Sequence, residues 1–319
     1  MLSKSPPERS YNVAISRASI LGSRGLLGRA LSTSMRQLGV AVSEYSRSHV
    51  AGDLEAAHWD PDRGEIDLAP LAQSEAVVNL AGESLVGGRW TEERRRRFRA
   101  SRVASTRVLC EAIARTDPLP RVLVNASAVG FYGDRGESAV TEDSPVGDGF
   151  LAQLCQEWEQ ATAPAVEAGV RVVYARFGIV LSTDGGALAA MLPAFRLGLG
   201  GPLGNGQQFM PWVTLRDAVR AVRFCITDES VTGPVNIVAP EATRNRKFTR
   251  ALGAALRRPA RLRVPGFALK AVLGPKAAQE LLLTGANVRP SVLERAGFRF
   301  DAPRLDDALA MVLEDASPP

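Results

Sequence analysis

The sequence is poor in the residues that bind metals or form disulfides. Its 319 residues include two histidines and three cysteines, Cys110, Cys155 and Cys225, which lie far apart and show no CxxC spacing. This scarcity argues against a disulfide framework, a zinc site or a histidine-rich metal site, and it fits a reducing compartment. We therefore expect no bound metal.

Long apolar runs are missing as well. No stretch is long enough to span a bilayer, and the polar start of the chain lacks the apolar core of a signal peptide. We interpret residues 1–11 as a flexible leader. The expectation that follows is a cytoplasmic protein with no membrane partner.

The charge balance is moderately basic, with a formal net charge of +5. The densest basic run, EERRRRFRASR at 92–102, opens with two acids and continues into an apolar helical pattern, which is typical of a solvated helix face. No basic sheet with interleaved aromatic residues accompanies this run. We therefore expect no nucleic acid partner.

What the sequence does contain is a regular alternation of strand and helix signals. Helical patterns separate apolar, β-branched runs at 13–21, 40–45, 76–82, 121–133 and 170–181. This rhythm predicts an α/β fold with a doubly wound parallel sheet of the Rossmann type, and ligands at the carboxyl ends of its strands. We place this domain at 12–181, with its sheet completed by parts of 212–240. Residues 182–319 mainly form a smaller C-terminal α/β domain.

A glycine-rich turn follows the first strand. The stretch LGSRGLLGRAL (21–31) places Gly22, Gly25 and Gly28 between an apolar strand and an apolar helix. The first glycine permits the tight turn, the second lets backbone approach a pyrophosphate, and the third allows close helix–strand packing. The helix N-terminus supplies amide donors. This arrangement predicts a dinucleotide-binding domain.

The end of the second strand distinguishes NAD from NADP. NAD-binding folds often carry an acid there for the ribose 2′-hydroxyl, whereas SEYSRS ends with Ser46 and Arg47. A guanidinium suits a 2′-phosphate through bidentate, charge-assisted hydrogen bonds. Glu44 is the competing candidate, but its place inside the strand favours an outward-facing polar residue. We predict NADP as the cofactor, with NAD the less favoured alternative.

Motifs in order along the chain resemble the extended short-chain dehydrogenase/reductase superfamily. They include GSRGLLG (22–28), HWDP (58–61), NLAGE (79–83), LCQEWE (154–159), RFGIVL (176–181), AFRLGLGGPLGNGQQ (194–208) and PWVTLRD (211–217). They are most similar to its atypical epimerase-like branch, the nucleoside-diphosphate-sugar epimerase-like proteins of unassigned substrate. The glycine turn departs from that branch's GGTGxIG, and Phe131 and Thr214 replace its tyrosine and histidine. The resemblance implies a C-terminal substrate domain and allows a homodimer.

The resemblance also implies a set of cofactor contacts. The glycine turn would hold the pyrophosphate, the end of the second strand the 2′-phosphate, and the end of the NLAGE strand the adenosine and ribose. A second arginine would face the cofactor, and a valine would lie near the nicotinamide. In this sequence these residues are Gly22, Gly25, Leu26, Leu27, Gly28, Ser46, Arg47, Leu80, Ala81, Gly82, Arg102 and Val180.

The helix GFLAQLCQEWEQ (149–160) lacks the residues that this superfamily uses for proton transfer. There a tyrosine acts as general acid/base, and a lysine four residues later lowers its pKa. Counted from Glu159, these two positions hold Leu151 and Cys155, and neither side chain can take the corresponding role. The usual machinery is therefore missing.

Other groups near the same strand end could substitute. Ser127 and Tyr132 lie at the carboxyl end of the preceding strand and are the catalytic candidates, although Tyr132 could instead pack under the cofactor. Cys155, Glu142 and Asp143 are weaker alternatives.

Two functions remain open at this point. The first is an NADP(H)-dependent oxidoreductase or epimerase-like enzyme that acts on a small carbonyl or sugar-nucleotide-like substrate. The second is a catalytically inactive protein that binds or senses NADP(H), which the residues Leu151 and Cys155 favour.

Overall fold

The computed structural model of the chain describes residues 15–46 and 57–314. The predicted leader at 1–11 and the candidate Arg47 lie outside the described residues. The strands are, in chain order, β1 (Arg17–Leu21), β2 (Ala41–Ser46), β3 (Ala57–Asp60), β4 (Glu65–Ile66), β5 (Ala76–Asn79), β6 (Val122–Ala128), β7 (Ala139–Val140), β8 (Arg171–Phe177), β9 (Ile179–Leu181), β10 (Trp212–Thr214), β11 (Gly233–Ile237) and β12 (Asn287–Val288).

One large sheet runs in the order β11-β8-β6-β5-β1-β2-β3-β4. Its pairs are parallel except for β3 with β4 at one edge. The central strands are buried on both faces, which explains their near-continuous apolar sequences. Strand β2 pairs with one side of β1 and β5 pairs with the other, so the direction of strand addition reverses at β1. A crevice therefore opens at the carboxyl ends of β1 and β5. The predicted doubly wound α/β fold is confirmed.

Helices cover both faces of the sheet and build the small domain. They are α1 (Leu26–Gln37), α2 (Leu68–Ala72), α3 (Glu92–Arg99), α4 (Ser105–Ile113), α5 (Phe150–Gln160), α6 (Ala163–Glu167), α7 (Gly186–Arg196), α8 (Leu215–Thr227), α9 (Asn245–Ala255), α10 (Gly266–Leu273), α11 (Pro275–Ala278), α12 (Ser291–Arg295) and α13 (Leu305–Glu314). A π-helical segment at 100–104 joins α3 to α4, and another at 279–283 extends α11. Over the described parts of the chain, no helix has both the length and the apolar character needed to cross a bilayer.

The core has a layer on each face of the sheet. On one face, strand residues such as Ile20 and Val124 pack against Leu31 of α1 and Val222 of α8. On the other face, the strands pack against α4. Alternate side chains of each strand therefore feed two separate apolar layers, and this holds the strand ends in fixed positions.

The small domain has its own apolar core, built from α7, α9 and α13 around Trp212 and Phe248. It is joined to the large domain by parallel pairing of β12 with β7. The loop at 182–186 contacts Leu26 at the start of α1, and Glu280 reaches the start of α5. These contacts place the small domain over the carboxyl edge of the sheet.

Candidate functional site

Two glycines of the turn between β1 and α1 lie directly against neighbouring backbone. Gly22 has φ of +79°, and a Cβ there would lie 2.7 Å from the carbonyl carbon of Leu80 and 2.8 Å from the amide nitrogen of Ala81. A Cβ on Gly28 would lie 2.2 Å from the carbonyl oxygen of Gly22. Both positions therefore require glycine, because the turn, the start of α1 and the end of β5 meet without side chains between them.

The start of α1 presents unused hydrogen-bond donors. Gly25 is the N-cap and has no side chain to cap the helix, and the first helical turn holds no acid. The first intrahelical bond is donated by Arg29 N to Gly25 O at 3.0 Å. The amides of Leu26, Leu27 and Gly28 precede that bond, so they have no helical acceptor and point out of the helix end. Together with the helix dipole they form a site suited to a phosphate.

The loop after β9 crosses the same helix end. A Cβ on Gly186 would lie 3.5 Å from the carbonyl oxygen of Val180 and 3.6 Å from Cδ2 of Leu26. Val180 itself is half-buried against the core of the sheet. The structure thus brings the predicted nicotinamide-side residue and the pyrophosphate turn into one neighbourhood.

The end of β2 lies beside this turn, since β2 pairs with β1. Ser46 is the last residue of the strand and pairs with His58 of β3. Glu44, the competing candidate, is bound by Arg36 of α1 at 2.8 Å between Nη2 and Oε1. Its carboxylate is therefore already engaged two residues before the strand ends, as expected for an outward-facing strand residue.

A buried asparagine holds the residues after β5. Nδ2 of Asn79 donates to Oδ1 of Asn125 at 2.7 Å and to Oγ1 of Thr106 at 2.9 Å, while its own Oδ1 accepts from the amide of Ala81 at 3.2 Å. The loop Leu80–Gly82 is thereby fixed against the glycine turn. The sequence shows Asn79 only as part of the NLAGE motif and gives no sign of this role, because its partners lie 27 and 46 residues away.

Arg102 lies in the π-helical segment and packs flat against this loop. A Cβ on Gly82 would lie 3.1 Å from its Cζ, Nη2 donates to the carbonyl of Glu83 at 2.8 Å, and its guanidinium lies 5.2 Å from the Trp158 ring centroid. Burial lowers its pKa below the ordinary value. Among the described residues no carboxylate forms an ion pair with it, so a half-buried cation borders the crevice. Interrupted helices of this kind often occur at functional sites.

The end of β6 packs against the two positions where the superfamily carries tyrosine and lysine. A Cβ on Gly130 would lie 3.3 Å from Cβ of Leu151 and 4.0 Å from Sγ of Cys155. Burial raises the pKa of the Cys155 thiol to about 11, so it is neutral at ordinary pH. At these two positions the site therefore has an alkyl side chain and a neutral thiol, and the charge of Arg102 acts on that thiol.

Ser127 and Tyr132 belong to a buried polar network instead of an open surface. Oγ of Ser127 donates to Oε1 of Glu159 at 2.7 Å. The Tyr132 hydroxyl donates to Oδ1 of Asn236 at 2.6 Å and accepts from Nη1 of Arg176 at 2.9 Å. Both side chains are almost fully buried, and burial raises the pKa of Tyr132, although Arg176 opposes this. A tyrosine base needs the opposite shift.

The centre of this network is the ion pair between Arg176 and Glu159. Nε and Nη2 of Arg176 each donate to one carboxylate oxygen at 2.8 Å, and its guanidinium lies 3.5 Å from the Phe131 ring centroid. Burial is the largest single influence on the pKa of Arg176 and would lower it, but hydrogen bonds and charge attraction to Glu159, together with Tyr132, raise this pKa above its ordinary value. The network is therefore charged, satisfied and internal. Neither Glu159 nor Arg176 was predicted from the sequence as a member of the site; Glu159 served only as the reference for locating positions 151 and 155.

Glu280 of the small domain caps α5. Its carboxylate accepts from the amide of Phe150 at 3.1 Å and from that of Leu151 at 2.8 Å. Gly149, the N-cap residue, has φ of +105° and no side chain for this task. An acid 130 residues away in sequence thus replaces a local cap and joins the small domain to the helix that carries Leu151.

Comparisons with known proteins agree with this architecture. Residues 18–238 match the model of the NAD dependent epimerase/dehydratase family, and residues 264–312 match a domain of unknown function, DUF1731. The epimerase family protein Mb2239 of Mycobacterium bovis is 44% identical over 290 residues, which are 91% of this chain and 95% of that protein.

Two solved structures extend the comparison. The crystal structure of human epimerase family protein SDR39U1 (isoform 2) with NADPH is 33% identical, with a TM-score of 0.84, and the match covers 94% of this chain and 99% of that one. The nucleoside-diphosphate sugar epimerase from Corynebacterium glutamicum is 32% identical, with a TM-score of 0.77, over 95% of this chain and 59% of that one.

Proposed function

The chain belongs to the NAD dependent epimerase/dehydratase family, and we propose that it binds NADP(H) and acts as an oxidoreductase or epimerase-like enzyme on a small carbonyl or sugar-nucleotide-like substrate. Membership confirms the resemblance indicated by the sequence motifs. The human relative was crystallised with NADPH, which supports NADP(H) over NAD here. A homodimer and a cytoplasmic location remain predictions.

The observation that carries the proposal is the glycine turn. A Cβ at Gly22 or Gly28 would collide with backbone, and the amides of Leu26 and Leu27 point out of the end of α1. The described residues thus fit a pyrophosphate, which needs close backbone approach and several donors but no side chain. Ser46 and Arg47 would hold the 2′-phosphate.

The rest of the crevice would order the nicotinamide half. When bound, the nicotinamide would supply or accept a hydride. Leu151 and the neutral Cys155 would exclude water from it, and Arg102 would offer a fixed cation to an anionic group of cofactor or substrate. We assign Ser127 and Tyr132 to positioning, because their hydroxyl groups bind Glu159 and Asn236.

A second candidate function is NADP(H) binding without turnover. The apolar side chain of Leu151 favours it, because no proton donor stands at that position against the end of β6. Transfer of deuterium from stereospecifically labelled NADPH to any carbonyl or nucleotide-sugar substrate would decide for the enzyme. Failure across a broad panel, with intact NADPH binding, would decide for the binding protein.

The cofactor proposal is tested by titrating the protein with NADPH and NADH. We expect Arg47→Ala to weaken NADPH binding by about tenfold to a hundredfold, since a hydrogen bond to a charged group contributes about 1.5–3 kcal/mol, and to leave NADH binding unchanged. Arg63→Ala, which removes an exposed arginine between β3 and β4, is the matched control. Equal losses in both variants, or no NADPH binding by the unaltered protein, would contradict the proposal.

A further inference from the structure

The three most exposed large apolar side chains among the described residues lie in the small domain: Phe267 is 77% exposed, Leu197 74% and Val272 72%. Leu199 and Leu262 of the same domain are each more than half exposed, as is Val86 (66%) in the loop after β5. Apolar side chains scattered singly over a surface need no explanation, but a group of them on one module marks an interaction surface.

Backbone hydrogen bonds join the two segments that carry these side chains. The amide of Leu262 donates to the carbonyl of Gly200 at 3.2 Å, so Leu262 lies beside the segment that carries Leu197 and Leu199. The amide of Val264 likewise donates to the carbonyl of Pro202 at 2.9 Å. Helix α10, which carries Phe267 and Val272, begins two residues later. Helix α10 has the sequence GFALKAVL, yet none of its residues is fully buried.

The same segment is purely basic. Between 257 and 276 there are six lysines and arginines and no acid, and all six are exposed: Arg257, Arg258, Arg261, Arg263, Lys270 and Lys276. Within the described residues none of them forms an ion pair with a carboxylate. Arg258 instead donates to the carbonyl of Arg196 at 2.9 Å, which holds its charge beside Leu197.

We propose that this surface, residues 196–200 together with 257–276, docks on the face of an anionic lipid bilayer. Basic side chains beside exposed apolar ones suit a layer that is anionic at its headgroups and apolar just beneath them. A second copy of the chain would bring like charges face to face. Nucleic acid would bind the cations but give the aliphatic side chains nothing to contact. This proposal departs from the expectation of no membrane partner, which was based on the lack of an apolar run long enough to span a bilayer; a peripheral surface needs no such run.

The first test is co-sedimentation with phosphatidylcholine vesicles, with and without phosphatidylserine. We expect binding only when phosphatidylserine is present, with affinity falling as salt rises. Arg257→Ala with Arg261→Ala should weaken it by about 30-fold, from the usual contribution of basic residues near an anionic surface. Arg96→Ala, on the exposed face of α3, is the control and should bind as the unaltered protein does. No binding, or equal binding to both vesicles, would overturn the proposal.

The second test locates the contact. Phe267→Trp should show a blue-shifted, more intense emission with phosphatidylserine vesicles, whereas Val166→Trp, at an exposed apolar position on α6, should not change. If vesicles leave the emission of the Phe267→Trp variant unchanged, the proposal is overturned. A dimer that Phe267→Ser abolishes would overturn it as well.

Discussion

Two regions at the carboxyl edge of the sheet differ in how closely they keep the residue pattern of the superfamily. The glycine turn of β1 and α1 keeps what phosphate binding needs, which is backbone geometry and free amides. The end of β6 faces Leu151 and Cys155 on α5, where the superfamily carries tyrosine and lysine, and the neighbouring polar groups bind one another. The features suited to phosphate binding and the positions used elsewhere for proton transfer thus lie in separate regions, of which the second is packed as core in this chain.

The second region is held by an ion pair whose strength depends on its burial. Helix α5 carries two acids that each take a bidentate arginine: Glu159 with the buried Arg176, and Glu157 with Arg99, whose side chains are each 39% exposed. Their shortest contacts are both 2.8 Å. They provide a comparison of two bidentate pairs on one helix, of which the buried pair also binds the hydroxyl groups of Ser127 and Tyr132.

The largest effect should come from Arg176→Met. It leaves the Glu159 carboxylate buried without its counter-ion, and we expect a loss of about 3–5 kcal/mol in the free energy of unfolding. Arg99→Met should cost about 0–1 kcal/mol, because its pair is partly solvated. Urea unfolding of both variants measures the difference, and similar losses would contradict the idea that the network has become structural core.

A smaller effect is expected at Gly22, measured against Gly39. Both have φ near +80°, but a Cβ on Gly39 would meet nothing within 4 Å, whereas one on Gly22 would meet the backbone of Leu80 and Ala81. Alanine should cost about 1–2 kcal/mol of unfolding free energy at Gly39 from left-handed backbone, and more at Gly22, where the added Cβ also meets backbone. Only Gly22→Ala should also weaken NADPH binding, by at least about tenfold, because the turn must open. Isothermal titration measures this, and an equal effect of Gly39→Ala on NADPH affinity would count against the turn as the binding site.

The glycine turn could be predicted from sequence because it is local. Gly22, Gly25 and Gly28 lie within seven residues, and the strand and helix that flank them are visible as apolar patterns. The central parallel strands were predictable for the same reason, since each is an apolar run. The edge strands β3 (AHWD) and β4 (EI) have no such run, so the sequence did not indicate them.

The polar network could not be predicted in this way. Tyr132 meets Asn236 across 104 residues, and Glu280 meets Leu151 across 129, so no spacing signals either contact. The sequence showed that Ser127 and Tyr132 lie at a strand end, but not that their hydroxyl groups turn into the core. The two residues that replaced the tyrosine and lysine were a visible sign that this region had changed.

Tyr132→Phe sharpens the comparison at the level of a single hydroxyl. It removes the hydroxyl that binds Oδ1 of Asn236 and leaves Nη1 of Arg176 with only a 3.5 Å bond to the carbonyl of Glu142. We expect a loss of about 1–3 kcal/mol in unfolding free energy with NADPH affinity unchanged. Tyr174→Phe, whose hydroxyl accepts a 3.2 Å hydrogen bond from Thr162 at a partly exposed position, should cost less. A variant with native stability but no turnover would instead make Tyr132 a catalytic residue.

The smallest effect concerns the charge at the position of the lost lysine. Burial raises the pKa of the Cys155 thiol to about 11, above its ordinary value of about 8.5. Because the folded pKa is raised, the stability contributed by the neutral thiol is complete below about pH 8.5 and is lost as pH rises towards 11. Cys155→Ala should therefore reduce the decline in unfolding free energy between about pH 8 and 10 by about 1–2 kcal/mol, measured by urea unfolding. An unchanged decline would mean that the folded protein tolerates a thiolate at position 155, and the surroundings of Cys155 could then accommodate a charge.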